Sequence, residues 1–270
     1  MPSLKEISHL PSLTLGSLET RLARDSNDIK AAQRLRYEVF FEELGAQIES
    51  TSPAGIDQDA FDDYCDHLLV IDTALPKENS VVGTYRLLRR QSAEKIGRFY
   101  SADEFDISSL LTYPGEILEL GRSCVKKNYR TRPTMQLLWQ GIAAYSSLYG
   151  IDILFGCASF PGVDLELLKK PLSYLFNHRL APLDIRPRAL PDRWIDMNFE
   201  SEETLSLTPQ EGLSLLPPLI KGYIRAGGFV GDGAVFDHAF NTTDISIVLR
   251  MTHVTHRYNK HFLQNQQNPS

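Results

Sequence analysis

Two hydrophobic rhythms alternate along the chain. Ala32, Leu35, Val39, Phe40 and Leu44 recur at helical spacing, and Gly45 stops the pattern. Ser26, Asn27 and Asp28 offer N-cap choices in front of it. Leu18 to Arg24, Leu68 to Ile71 and Val81 to Leu88 read as strands. The turn Pro76–Ser80 joins the last two as an antiparallel hairpin. Ile117 to Val125 is a further strand. Pro133 then opens a helix that carries Leu138, Ile142, Tyr145 and Tyr149 on one face, and Gly150 ends it. Ile151 to Cys157 is almost wholly apolar, as in a strand covered on both faces. Residues 162–180 and 215–226 read as helices, and Asp244 to Leu249 as the final strand. This order predicts an α/β fold with a mixed (α+β) sheet and helices on both faces, in a single domain over residues 17–257. Residues 1–16 read as an N-terminal arm, 181–212 as a Pro-rich irregular excursion and 258–270 as a flexible tail.

Composition narrows the function classes. The chain has 270 residues, 42% hydrophobic and 23% charged, which is ordinary globular material. A net charge of -6 argues against a globally basic nucleic-acid binder. No run of about 18 apolar residues predicts a membrane span. The N-terminus lacks a basic region followed by an apolar core, so no signal peptide is expected. Cys65, Cys124 and Cys157 are far apart, with no CxxC or Cys/His metal spacing. They read as reduced thiols of a cytoplasmic protein, with peripheral attachment to the inner face of the membrane left open.

The chemistry concentrates around Glu119. A carboxylate inside an apolar strand needs a reason. One reading is an ion pair with Arg86 or Arg36. The other is a general base, whose pKa burial raises toward a useful value. Strand alternation puts Glu119, Gly121 and Ser123 on one face and Leu118, Leu120 and Arg122 on the other. Upstream lies an acidic loop with Asp57, Asp59, Asp62, Asp63 and Asp66. Downstream lies a basic, glycine-free segment, Lys126-Lys-Asn-Tyr-Arg130-Thr-Arg132-Pro133. Arg89, Arg90, Lys95 and Arg98 form a second basic group.

Glu119-Leu-Gly-Arg122 resembles the Glu-Leu-(Ser/Gly)-Arg motif of acyl-homoserine-lactone synthases and their relatives in the GNAT superfamily. Arg36-Tyr-Glu-Val-Phe40, the Asp57–Asp63 loop and Gly83-Thr-Tyr-Arg86-Leu resemble that group's other motifs, in the same order. Leu216 to Gly228 and Phe240 to Val248 look like the ornithine–acyl carrier protein N-acyltransferases. The resemblance implies a GNAT-like fold in which two strands, here 117–125 and 151–159, splay apart to hold pantetheine. It implies transfer of a (3-hydroxy)fatty acyl group from acyl carrier protein to the α-amine of L-ornithine, with no metal. The co-substrate would be the carrier's 4′-phosphopantetheine thioester, and no separate cofactor is expected. Glycines after the fourth strand let backbone amides approach the pyrophosphate of coenzyme A, and their absence here favours the carrier protein as donor. The residues thereby implied are Glu119 as base and Tyr223 as acid. Arg36, Phe40, Asp57, Asp63, Arg86 and Arg122 would face the amino acid. Ser123, Cys124, Val125, Arg130, Arg132, Cys157 and Ser159 would face the acyl-pantetheine. The runner-up is a lactone synthase using S-adenosylmethionine, and a non-catalytic lipid-binding protein is the rival from another class.

Overall fold

A computed structural model describes residues 10–47, 55–200, 204 and 206–252. The expected tail and most of the expected arm lie outside these residues. In chain order the elements are β1 (Leu13–Leu15), β2 (Leu18–Leu22), α1 (Ser26–Tyr37), a π-helical segment (Glu38–Glu43), β3 (Asp66–Asp72) and β4 (Val81–Arg89). Then come α2 (Arg90–Ile96), β5 (Phe105–Asp106), α3 (Ser108–Leu111), β6 (Glu116–Val125), α4 (Arg132–Tyr149), β7 (Ile151–Pro161) and α5 (Leu165–Arg179). The chain closes with β8 (Arg188–Ala189), α6 (Pro209–Ser214), α7 (Pro218–Arg225), β9 (Phe229–Asp237) and β10 (Thr242–Arg250). These elements form two compact units.

The first unit holds residues up to Phe99 together with 118–150. Its strands β1, β2, β3, β4 and β6 pair antiparallel in that order. The pairing of β3 with β4 is the hairpin expected from the Pro76 turn. Part of the expected arm is itself a strand, β1, folded back on β2 through Gly16 at φ 64°. The helix N-cap is Asp25, one residue ahead of the candidates read from the sequence, and its carboxylate accepts from the amides of Asn27 and Asp28. Helix α1 buries Ala32 and Leu35 against Leu69, Ile71 and Cys124, and the following segment adds Val39 to the same core. Helix α4 begins with proline in its first turn and ends at Gly150, where φ is 61° and a side chain would be strained. Gly141 of α4 sits over the sheet so closely that a Cβ there would lie 2.9 Å from Leu68. Only glycine allows that approach, so α4 lies against one sheet face while α1 covers the other.

The alternation expected for β6 breaks at one point. Thr84 pairs with Cys124, but Arg86 pairs with Gly121, so Tyr85 stands opposite both Arg122 and Ser123. This is a β-bulge, and Arg122 takes the left-handed conformation with φ 47°. A non-glycine residue held there costs about 1–3 kcal/mol unless its surroundings fix it.

The second unit holds residues 100–117 and 151 onward. Its strands run β7, β10, β9, β8, β5, all antiparallel except for the β8–β9 pair. The stretch read as an irregular excursion contains β8 and α6. Thr208 caps α6 reciprocally with Glu211. Strand β9, read from the sequence only as Gly-Gly-Phe-Val, extends for nine residues beside β10.

Candidate active site

The acidic loop between α1 and β3 is held inside the first unit by three arginines. Arg36, on the inner face of α1, is only 1% exposed. Its Nε donates to Asp57 Oδ2 at 2.6 Å and its Nη2 to the Asp57 carbonyl at 2.6 Å. Its two terminal nitrogens also fork onto Asp62, at 2.7 and 2.9 Å. Arg86, from β4, donates to Asp59 Oδ1 at 2.6 Å and lies 3.6 Å from Asp62. Arg122, on the β6 bulge, reaches Asp57 and Asp59, each at 3.3 Å. Three guanidinium and three carboxylate charges therefore interlock. This network gives the bulge a reason to persist, because Arg122 reaches the loop from its left-handed position.

Electrostatics follow from the packing. Burial pushes the Asp62 carboxyl up, but the hydrogen bonds and charge of Arg36, with Arg86, outweigh it and hold the group well below the usual range. Asp59 is lowered in the same way, its burial opposed by Arg86 and Arg122. Burial would lower the Arg36 guanidinium, yet Asp62 and Asp57 raise it further instead. His67 on β3, paired directly with Arg86 on β4, is pushed down by desolvation, and its Nε2 lies 3.1 Å from the Asp62 carbonyl. Phe61 caps the group, with the Arg98 and Arg86 guanidiniums 4.9 and 5.5 Å from its ring centroid.

Glu119 is 3% exposed. It stands opposite Leu88, two residues along from the Arg86–Gly121 pair, so it shares a sheet face with Arg86. The Cys65 thiol, pushed up by burial, feels both the Glu119 charge and that of Arg86. The carboxylate thus belongs to the neighbourhood of the ionic network.

The structure redistributes several expected roles. Arg36 and Asp57, expected to face the amino acid, are buried and bound to each other, so they hold the loop. Asp63 is exposed. Asp59 and Asp62, named in the loop but not among the expected contacts, join Asp57 in the arginine network. The signal was the spacing of acidic residues in a loop that follows an arginine-bearing helix. Asp59 and Arg122, with side chains 24% and 13% exposed, are the more accessible members of the network. Phe40 packs on the α1 core. Cys124 belongs to that core too, its thiol raised to about 12 by burial, so an acyl thioester there would meet its backbone and not its sulfur. Ser123 is half-buried on the bulge, and Val125 offers its carbonyl to Arg130 Nε at 3.0 Å. Arg130 is further clamped by Glu43 at 2.6 and 2.7 Å, which ties the basic segment to the π-helical turn. Arg132 is exposed at the start of α4. Tyr223, Cys157 and Ser159 lie in the second unit: Tyr223 is buried in α7, Cys157 half-buried and Ser159 exposed in β7.

A buried carboxylate thus stands beside a charge-balanced Arg/Asp network, on a strand that bulges three residues further along. Residues 35–140, which carry this arrangement, match the model of the acetyltransferase (GNAT) domain. Over 90% of this chain and 88% of the relative, the sequence is 48% identical to an L-ornithine N(alpha)-acyltransferase of Brucella abortus. The chain belongs to the L-ornithine N(alpha)-acyltransferase family. A relative of the same name from Agrobacterium fabrum is 47% identical over 90% of this chain and 84% of its own, and one from Rhodobacter capsulatus 44% over 86% and 90%. Like other members of this family, the protein is an acyltransferase with a GNAT-like fold, as its motifs implied. Among the described residues, no helix is long and apolar enough to cross a membrane.

Proposed function

We propose that the protein transfers a (3-hydroxy)fatty acyl group from acyl carrier protein to the α-amine of L-ornithine, giving lyso-ornithine lipid. Glu119 carries this reading: it is a buried carboxylate on the Arg86 face, in a chain whose relatives bear the ornithine acyltransferase name. Glu119 removes a proton from the α-ammonium, directly or through water, and the free amine attacks the thioester carbonyl. An amide C–N bond forms as the nitrogen gives up its second proton, the C–S bond breaks, and the phosphopantetheine thiolate takes up a proton and leaves as the thiol. A backbone amide near Ser123–Val125 holds the developing oxyanion. Asp59 receives the distal ammonium of ornithine, and Arg122 its carboxylate.

The donor reading rests on the segment after β6. It has no glycine, and Lys127 and Arg132 are exposed on it, which suits an acidic carrier with one phosphodiester. Transfer to the amine needs no metal or redox cofactor.

The test is direct. The purified protein is incubated with 3-hydroxyacyl carrier protein, or with the matching coenzyme A thioester, and a panel of ornithine, lysine, glutamine and homoserine. Mass spectrometry of the lipid should find acyl-ornithine from the carrier-bound donor. Product on a different amino acid, or from the coenzyme A donor alone, overturns the corresponding half of the reading.

A further inference from the structure

Beside Cys157, which the resemblance places against the acyl-pantetheine, the second unit holds buried side chains to which the transfer steps above give no role. Strands β7 and β10 pair without interruption from Pro161–Thr242 to Ile153–Arg250. Ser246 therefore stands directly opposite Cys157, and Asp244 opposite Ser159, so Cys157, Asp244 and Ser246 share one face. Glu104 reaches the same place from the turn before β5, with Oε2 3.3 Å from Cys157 Sγ. One ligand atom from each of Glu104, Cys157 and Asp244 lies within 4.8 Å of the others. Glu104 and Asp244 are only 5% and 6% exposed.

One further observation makes this more than an acidic cluster. Ser246 is fully buried on the shared face, and its hydroxyl has no hydrogen-bond partner among the described residues. A buried hydroxyl left unmatched loses the hydrogen bonds water gave it, so it points to a partner from outside the chain. Arg193, with a side chain 45% exposed, lies 3.7 Å from Glu104. Burial, then the charge of Asp244, pushes the Glu104 carboxyl well above the usual carboxylate range.

We propose that Glu104, Cys157 and Asp244 bind a divalent cation of zinc type, with the Ser246 hydroxyl turned toward it as a further oxygen donor, directly or through a water. A thiolate with two carboxylates suits zinc and not magnesium or calcium, which take oxygen donors alone. Zinc bond lengths of about 2.0–2.3 Å imply tetrahedral edges of about 3.3–3.8 Å, and the Cys157–Glu104 separation already meets that. On binding, the Cys157 thiol and the Glu104 carboxyl release their protons to solvent. The three resulting negative charges are then balanced by the cation and Arg193. Such an ion pins the turn that carries Glu104 to β7 and β10, a structural task separate from the transfer.

The test uses the full chain stripped with a chelator, with cobalt(II) as probe. The expected result is one saturable equivalent, near-ultraviolet thiolate-to-cobalt absorption, and displacement by zinc. The absorption should vanish in Cys157→Ser and persist in Cys65→Ala. Asp244→Asn should weaken binding by about tenfold or more, and Ser246→Ala less. Zinc should also raise the melting temperature of the parent chain and not that of Asp244→Asn. That comparison still decides the matter if Cys157→Ser does not fold. Absence of saturable binding, or a cobalt–thiolate band that survives in Cys157→Ser, overturns the proposal. Neither outcome depends on acyl transfer.

Discussion

Two buried charge clusters differ in one respect that decides what each can do. In the first unit three arginines meet three aspartates, and the contacts between them are close to saturated. In the second unit Glu104 and Asp244 face a cysteine and a serine, and the half-exposed Arg193 lies 3.7 Å from Glu104. The balanced cluster is a fastener: it fixes the acidic loop, α1 and the β6 bulge in one geometry. The second, on the proposal above, is a socket for a cation. Buried charge by itself does not mark function, and what distinguishes the two is that the first is closed by its own arginines while the second holds a buried hydroxyl, Ser246, without a hydrogen-bond partner among the described residues.

The comparison can be broken first at Arg36. Arg36→Ala leaves Asp57 and Asp62 buried without their partner, and should cost about 3–5 kcal/mol in denaturant unfolding. Arg36→Met with Asp62→Leu should recover much of that, because it removes both charges together. A loss under about 1 kcal/mol for Arg36→Ala would show that the network is ornamental.

Acid is the next lever. Asp59 and Asp62 have carboxyls lowered in the folded state. Their stabilisation is therefore complete above the unfolded value near about 4, and it is lost as pH falls toward the lowered folded values. Melting temperatures should fall steeply below about pH 5, and Asp62→Asn should flatten that fall.

A smaller effect separates holding from binding. Asp59→Asn keeps the shape of an accessible network member but removes its charge. The KM for ornithine should rise about 10- to 100-fold, with kcat less affected, since a hydrogen bond to a charged group is worth about 1.5–3 kcal/mol. An unchanged KM would leave Asp59 with the loop-holding task alone. The smallest effect belongs to Asp63→Asn: the residue is exposed, so stability should stay within about 0.5 kcal/mol and KM should not move.

Much of this was legible before any coordinates. The helices around Leu35 and Leu138, the β3–β4 hairpin and the strand bearing Glu119 follow from periodicity and from the glycines and prolines at their ends. What escaped was set by tertiary contact. The bulge at Arg122 and Ser123 breaks an alternation that reads as unbroken in sequence, because the ion pairs to Asp57 and Asp59 hold it open. Which aspartates of the loop turn inward depends on where Arg36 and Arg86 stand, so Asp63 was favoured and Asp59 and Asp62 were not. The second cluster joins positions 104, 157 and 244, and no local spacing announces a group assembled across that distance. Glu119 was found because a carboxylate inside an apolar strand is visible without a fold.

The central claim, that Glu119 is the base for an acyl transfer to ornithine, is tested most directly by the turnover of Glu119→Gln with carrier-bound acyl donor. Circular dichroism would confirm that the variant is folded. Gln keeps the side chain's shape and cannot accept the proton, so kcat/KM for ornithine should fall about 10²- to 10⁴-fold near neutral pH. Part of that loss should return at high pH, where the amine arrives already deprotonated. Turnover within about threefold of the parent chain, with an unchanged pH profile, would contradict the account.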